Sequence, residues 1–241
     1  MVSVCIATYN GEKYLKDQLR SILNQISCMD EIIISDDGST DNTISIIESF
    51  KDSRIHIYKN LGSHGFKNNF ENGLKYCKGD VIFLSDQDDV WLSNKYDKMC
   101  SIINEYDLVV SDSTVTDENL NTIFPSFFQY FGSGPGILKN IIRSSYYGSC
   151  MAFNRKILDY SIPFPKTQEI GHDLWLGLIA ELKGTVTFYP QPLIYYRRHE
   201  NTFSSISLSL NRSNRSLIKK CYSRIVIIFE VLKFILRKWH S

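Results

Sequence analysis

The sequence predicts an α/β fold with a mostly parallel central sheet flanked by helices, and three observations predict it. Short apolar runs of the kind a doubly covered strand needs occur at Val2–Thr8, Glu31–Ser35 and Val81–Leu84. Stretches with apolar residues at three- and four-residue spacing separate them, as crossover helices require. Each run ends in turn residues, Asn10-Gly11, Asp36-Asp37-Gly38-Ser39 and Ser85-Asp86-Gln87-Asp88-Asp89. In open sheets of this type, ligands bind at the carboxyl ends of the strands.

After the first strand, Tyr14, Leu15, Gln18, Leu19, Ile22, Leu23 and Ile26 keep helical spacing and predict the first crossover helix. Thr40 or Asp41 caps a second helix with Ile44, Ile47 and Phe50 on its inner face. Arg54–Tyr58 alternates with period two and predicts a third strand. Phe66, Phe70, Leu74 and Cys77 mark a helix that Gly79 closes as its C′ residue. Beyond Val81–Leu84, the spacing predicts a helix over Trp91–Tyr106 with Tyr96, Met99, Cys100 and Ile103 inward, then a strand at Leu108–Ser111. The second half is less regular. Pro125–Gly136 (PSFFQYFGSGPG) reads as a long loop, and long loops in compact domains commonly serve as lids or binding loops. Ser149–Phe153 predicts a strand, and His172–Leu182 a helix with Leu174, Trp175, Leu178, Ile179 and Leu182 on one face. Thr185–Tyr189 and Leu193–Tyr196 predict edge strands. Residues 1–205 thus form one domain of two halves, 1–112 and 113–205, followed by a tail over 206–241.

With 241 residues, 43% of them hydrophobic, the chain can bury one substantial core. Its 27 Lys+Arg against 26 Asp+Glu leave a net charge of +1, which offers no global field for nucleic acid or an acidic partner. The balance fails after Arg212. There Arg212, Arg215, Lys219, Lys220, Arg224, Lys233, Arg237 and Lys238 face one acid, Glu230. Interleaved with Leu217, Ile218, Ile225, Val226, Ile228, Phe229, Leu232, Phe234, Ile235, Leu236 and Trp239, they predict a basic amphipathic helix. Such a helix either lies in an anionic membrane interface or packs on the domain. The longest apolar stretch, Ile225–Phe229, is far short of the ~20 residues a spanning helix needs. Six widely spaced cysteines (Cys5, Cys28, Cys77, Cys100, Cys150 and Cys221) without a CxxC pair fit reduced thiols in a cytosol. The opening Val2–Ala7 lacks the features of a signal peptide.

Asp86, Asp88 and Asp89 are three carboxylates within four residues, and they repel one another. A solvated acidic turn is the plain reading of such a cluster. At the exit of a buried strand, however, it needs a cation. Mg²⁺ or Mn²⁺, taking oxygen ligands, would bridge it to a substrate diphosphate. Thr8-Tyr9-Asn10 and Asp36-Asp37-Gly38-Ser39 should sit side by side above the sheet, offering an aromatic face, hydroxyls and carboxylates to a nucleobase and ribose. Neither GxGxxG nor GxxxxGK[ST] is present, which sets aside dinucleotide oxidoreductases and P-loop enzymes.

In order, VSVCIATYNGEKYL, EIIISDDGSTDNT, GDVIFLSDQDDVW, GSCMAFNR, IGHDLWL and YYRRHENT resemble the family 2 glycosyltransferases of the GT-A fold, over about residues 1–205. The SDQDDVW form resembles the rhamnosyltransferase-like subgroup of polysaccharide assembly. The resemblance implies a Rossmann-like GT-A domain whose first half binds a nucleotide-sugar and whose second half binds the acceptor. By position, it implies that Thr8, Tyr9, Asn10 and Glu12 line the nucleotide pocket, that Asp37 contacts the base and that Asp86 faces the ribose or base. It assigns the metal to Asp88 and His199, and the general base to Asp173. Candidate substrate contacts are Asp89, Trp91, Gly148, His172 and Arg197. Where many relatives carry Glu-Asp, this chain has His172-Asp173, which leaves the role of the first residue open. An acid in the first turn of a helix is also favoured by the macrodipole, and that is the plainer reading of Asp173 alone. Trp91 and Trp175 read more readily as core or pocket-wall residues than as sugar platforms.

One base without a second carboxylate nucleophile implies a single displacement with inversion. The expected activity is transfer from a UDP- or dTDP-sugar to a saccharide or lipid-linked saccharide in bacterial capsule or O-antigen synthesis. The expected place is the cytoplasm, peripheral on the inner face of the plasma membrane, with the oligomeric state open. Two rivals remain. A nucleotidyltransferase of similar fold would carry a Gly-rich basic loop where this chain has Thr8-Tyr9-Asn10-Gly11-Glu12, and a non-catalytic saccharide-binding protein would have lost the metal carboxylates or the base.

Overall fold

The computed structural model describes residues 1–199 and 216–237. Strands β1 (Val2–Thr8), β2 (Glu31–Asp36) and β4 (Val81–Asp86) bury almost every side chain on both faces, which is why they read as unbroken apolar runs. The other strands are β3 (Ile55–Lys59), β5 (Val90–Trp91), β6 (Leu108–Thr116), β7 (Thr122–Phe124), β8 (Met151–Asn154) and β9 (Val186–Arg197). One sheet holds them in the order β3-β2-β1-β4-β8-β6-β9-β5, with β7 on β6. Pairing is parallel from β3 to β4, antiparallel on both sides of β8, parallel again between β6 and β9, and antiparallel for β5 and β7. The first half is therefore parallel and the second half mixed. Helices α1 (Leu15–Leu23), α2 (Thr43–Ser49), α3 (Phe66–Leu74) and α4 (Lys95–Ile103) cover the first half. In the second half lie α5 (Phe127–Phe131), α6 (Ile137–Ile142), α7 (Arg155–Ser161) and α8 (His172–Lys183).

Several expectations change at their edges for local reasons. Helix α2 starts at Thr43, and Asp41 accepts the Thr43 N–H at 3.0 Å. The helix expected over Trp91–Tyr106 begins only at Lys95. Trp91 instead pairs with Ile194 in the sheet, and Asn94 takes the left-handed conformation (φ 67°), which an asparagine tolerates. Gly79 does not cap α3, which ends at Leu74. It lies against β1, where an added Cβ would come within 2.5 Å of the Ser3 backbone nitrogen. The Pro125–Gly136 loop contains α5, started by the Ser126 hydroxyl accepting from Gln129 N and stopped by left-handed Gly132. The two expected edge strands are one interior strand, β9. Its register against β6 jumps from Ser111–Tyr189 to Asp112–Pro192, because Pro190 and Pro192 have no N–H for the ladder.

The tail forms α9 (Leu217–Arg237). One face packs on the domain through Ile227 and Val231. Phe234 meets Trp175 edge-on at 5.9 Å, and the Ser223 hydroxyl donates to Glu169. The tail thus docks on the domain, yet it keeps apolar residues on its outer face as well. Residues Arg212, Arg215, Lys238 and Trp239 of the expected helix lie outside the described residues. Among the described residues, no helix is long and apolar enough to cross a membrane. All six cysteines are free thiols.

Candidate active site

Register brings the site together. Parallel pairing aligns Thr8 with Asp36 and Ala7 with Asp86, so the exits of β1, β2 and β4 are level at one edge of the sheet. The chain runs from β1 outward to β3 and then returns to place β4 on the other flank of β1. The β1/β4 boundary is the switch point where an open α/β sheet offers its ligand crevice.

On the β1/β2 side, the Thr8 hydroxyl donates to Asp36 at 3.0 Å, and the other Asp36 oxygen accepts the Gly38 and Ser39 N–H groups. Asn10 and Glu12 tie the first turn to the second. Asn10 Oδ1 accepts Thr40 N (2.8 Å), and Glu12 Oε2 accepts the backbone and side-chain N–H groups of Asn42 (3.0 and 2.8 Å). The Tyr9 ring is exposed, while its backbone is fixed. The Gln87 carboxamide accepts from Tyr9 N and donates to Tyr9 O, both at 3.0 Å. Asp37 is buried and oriented by three groups: Asn60 Nδ2 at 2.7 Å, His64 Nδ1 at 3.1 Å and Gly65 N at 2.7 Å.

On the β4 side, Ser149 of the turn Gly148–Cys150 is shared with Asp86. Its hydroxyl donates to Asp86 Oδ2 (2.8 Å) and accepts Asp86 N (3.0 Å). Burial first, then the charge of Asp88, pushes the Asp86 carboxyl up to about 7, and Asp173 adds to the rise. Asp89 is fully buried. One of its oxygens accepts the Arg197 backbone N–H at 2.9 Å, and burial followed by Asp88 and Asp86 raises its pKa well above the carboxylate range. Asp88 keeps more exposure and meets His199 Nε2 at 2.8 Å, with the His199 ring 4.7 Å from that of Tyr14. Beneath this loop the buried Lys95 ammonium donates to Ser149 O and lies 4.8 Å over the Trp91 ring. Trp91 itself is a core residue.

Asp173 opens α8, where its Oδ1 accepts the Leu174 N–H at 2.7 Å. The surrounding packing raises its carboxyl to about 6, against the opposing effect of the helix-end N–H groups. The neighbouring His172 is buried and stacks on Phe70 at 4.1 Å, and burial pushes it down to about 3, so it is neutral. Among the described residues neither of its ring nitrogens finds a hydrogen-bond partner. An added Cβ at Gly148 would come within 2.9 Å of His172 Nε2, so the His172 ring would have to shift. Arg197 is buried, donates to Glu118 O at 3.0 Å and lies 4.4 Å over the Tyr14 ring; its Nη2 reaches Asp17 Oδ2 only as a 3.9 Å ion pair, and among the described residues neither Nε nor Nη2 makes a hydrogen bond.

The structure therefore gathers Asp86, Asp88, Asp89, His199 and Arg197 in one place, with Asp173 within electrostatic reach of Asp86. Sequence reading did not single out Gln87 as a clamp, Asn60 and His64 as the partners of Asp37, or Lys95. For Asn60 and His64 a signal existed, a polar, glycine-containing turn after β3 at the same sheet edge as the other site turns.

The donor set fits a hard divalent ion. Among the described residues no three His, Cys, Asp or Glu side chains are grouped to hold a metal. A carboxylate and an imidazole nitrogen 2.8 Å apart can supply two ligands, and Mg²⁺ or Mn²⁺ commonly takes only one or two protein groups and completes its shell with substrate phosphates and water.

Residues 3–161 match the family described as Glycosyl transferase family 2. The chain belongs to glycosyl transferase family 2. Relatives of this glycosyltransferase include the dTDP-rhamnosyl transferase RfbG of Shigella flexneri, 30% identical over 237 residues and spanning 88% of this chain and 78% of the relative. Another is the UDP-Glc:alpha-D-GlcNAc-diphosphoundecaprenol beta-1,3-glucosyltransferase WfaP of Escherichia coli, 28% identical over 95% of this chain and 91% of the relative. Among solved structures, S. aureus TarS 1-349 in complex with UDP-GlcNAc superposes with a TM-score of 0.69 at 20% identity, covering 88% of this chain. This chain spans 61% of that TarS chain, and the likeness establishes the GT-A-type fold. Family membership places the chain among glycosyltransferases and away from the nucleotidyltransferase rival.

Proposed function

We propose that this glycosyltransferase inverts the anomeric centre while moving a sugar from a UDP- or dTDP-sugar to a saccharide or lipid-linked saccharide, with Mg²⁺ or Mn²⁺, in the assembly of bacterial capsule or O-antigen. The observation that carries the reading is the convergence of Asp86, Asp88, Asp89 and His199 at the β1/β4 switch point with Asp173 at the start of α8. In this reading Tyr9, Asn10, Thr8 and Glu12 shape the nucleotide turn, Asp37 receives the base and Asp86 the ribose. Asp88 and His199 hold the ion, which when bound offsets the negative charge of the nucleoside diphosphate. Asp173 accepts the proton of the attacking hydroxyl. Its carboxyl at about 6 is ionised at neutral pH yet more basic than an exposed aspartate. Asp89 and Arg197 hold the metal loop to β9, while Gly148 and His172 bound the sugar. The names of the two relatives support UDP and dTDP donors and a diphosphoundecaprenol acceptor. A lipid-linked acceptor in turn favours a cytoplasmic, membrane-peripheral enzyme.

The test is release of nucleoside diphosphate from a panel of UDP- and dTDP-sugars. Release should need divalent metal and acceptor, and Asp88→Asn and Asp173→Asn should each abolish it. Retained turnover in both variants overturns the mechanism. No metal-dependent nucleotide binding by calorimetry, with no turnover on any donor, would instead support the non-catalytic saccharide-binding reading.

A further inference from the structure

Helix α9 carries an apolar surface beyond the one it buries. Ile218, Tyr222, Ile225, Phe229, Leu232 and Leu236 recur at alternating four- and three-residue spacing, so they share one stripe of the helix. The stripe faces outward. Ile218, Ile225 and Phe229 are 82%, 64% and 62% exposed, whereas the inward Ile227 and Val231 are 4% and 7% exposed. The patch also extends beyond α9. Arg224 Nη2 donates to the carbonyl of Ile142 at 2.7 Å, which brings the end of α6 alongside, and Ile142 and Leu138 on α6 are exposed too. Exposed apolar residues scattered singly need no explanation, but a contiguous ridge rimmed by polar groups marks an interaction surface.

The rim identifies the partner. By helical position Lys219 and Lys233 fall on one border between the outward stripe and the packed face, where Lys233 pairs with Glu230, the one acid of the helix, at 3.3 Å; Arg224 falls on the other border and keeps its positive charge while donating to the Lys220 and Ile142 carbonyls. We propose that this ridge of α9 and α6 lies in the interface of an anionic lipid bilayer. Its apolar side chains sit at the headgroup–acyl boundary, and Lys219, Arg224 and Lys233 sit at the level of the anionic headgroups. A second copy of the chain fits worse, because symmetric pairing through the stripe would set these cations against their own counterparts. The inference assigns the peripheral location proposed above to one surface and one partner, and it rests on that reading only for its use in reaching a lipid-linked acceptor.

Co-sedimentation of the full chain with vesicles of phosphatidylcholine, alone or mixed with phosphatidylglycerol, tests it. Binding is expected to the mixed vesicles and to weaken with salt. The double variant Ile225→Gln/Phe229→Gln should lower it at least about tenfold, and Lys219→Gln and Lys233→Gln about fivefold each. Melting temperature and Mn²⁺-dependent binding of UDP or dTDP should stay as in the unsubstituted chain. No binding, equal binding by the double variant, or a dimer that the same double variant dissolves overturns the proposal. Loss of nucleotide binding in every form, with vesicle binding following the expected pattern, would overturn the donor reading and leave this surface standing.

Discussion

Replacing Asp173 by Asn should destroy transfer and make the protein more stable, and the size of both effects follows from its surroundings. Packing at the start of α8 raises the carboxyl from 3.8 to about 6. That rise is about 2 pK units, and at about 1.4 kcal/mol per unit the folded state gives up roughly 3 kcal/mol to keep Asp173 ionised. The sign is fixed by the direction. With the folded pKa above the unfolded value, the cost is fully present above about pH 6, shrinks as pH falls through that value, and is gone near 3.8. Asn carries no charge to desolvate, and its carbonyl can still accept the Leu174 N–H. Asp173→Asn should therefore unfold later in urea by up to about 3 kcal/mol above pH 6, and the advantage should fade on acidification. Removal of a general base lowers turnover by about 10²–10⁴. Urea titrations of both proteins across the pH window, paired with nucleoside diphosphate release, measure the two effects together. A variant less stable than the parent above pH 6, or a stability gap that ignores pH, refutes the claim that burial holds this carboxylate in a poised state.

Chelation with EDTA, or Asp88→Ala, should lower turnover about a thousandfold, since one pair of unit charges at ~4 Å and an effective dielectric near ~20 is worth about 4 kcal/mol. Restoration by added Mn²⁺ should occur in the parent and fail in the variant. Gly148→Ala should impair transfer with only a modest loss of stability, because its Cβ meets the His172 ring at 2.9 Å beside Asp173, the proposed base. Comparison of kcat/KM with a urea midpoint separates the two effects. Gly177→Ala should do the reverse. Its Cβ would come within 2.4 Å of the Tyr146 ring, an overpacking that costs about 1–3 kcal/mol, while activity per folded molecule is retained.

The parallel half was legible because β1, β2 and β4 are covered on both faces, so burial wrote itself into uninterrupted apolar runs. The position of the acidic loop was legible for a related reason: it follows such a run directly, so the strand's exit fixes where Asp86, Asp88 and Asp89 fall. The second half was obscure because its elements are short and defined by partners distant in sequence. Strand β7 is three residues long, and α5 depends on a Ser126 cap and Gly132 rather than on periodicity. Strand β9 was read as two edge pieces because Pro190 and Pro192 interrupt a pattern that β6 and β5 hold together from either side. The partners of Asp37 were missed because Asn60 and His64 enter from the turn after β3, whose polar, glycine-containing sequence marks a turn at the site edge without saying which carboxylate it meets. Buried Lys95 escaped notice because a lysine in a helix reads as solvated, and only the fold shows it donating to Ser149 O and lying over the Trp91 ring.

The carboxamide of Gln87 clasps both backbone groups of Tyr9, so the turn after β1 proposed to meet the nucleotide and the loop after β4 proposed to carry the metal ligand are a single mechanical part. Transplanting one of them from a relative to change donor preference would leave a graft without its latch. An exchange that carries residues 8–12 and 85–89 as a matched pair keeps the latch closed. Gln87→Ala would uncouple the two in place, and weaker metal affinity in the presence of nucleotide would register the loss.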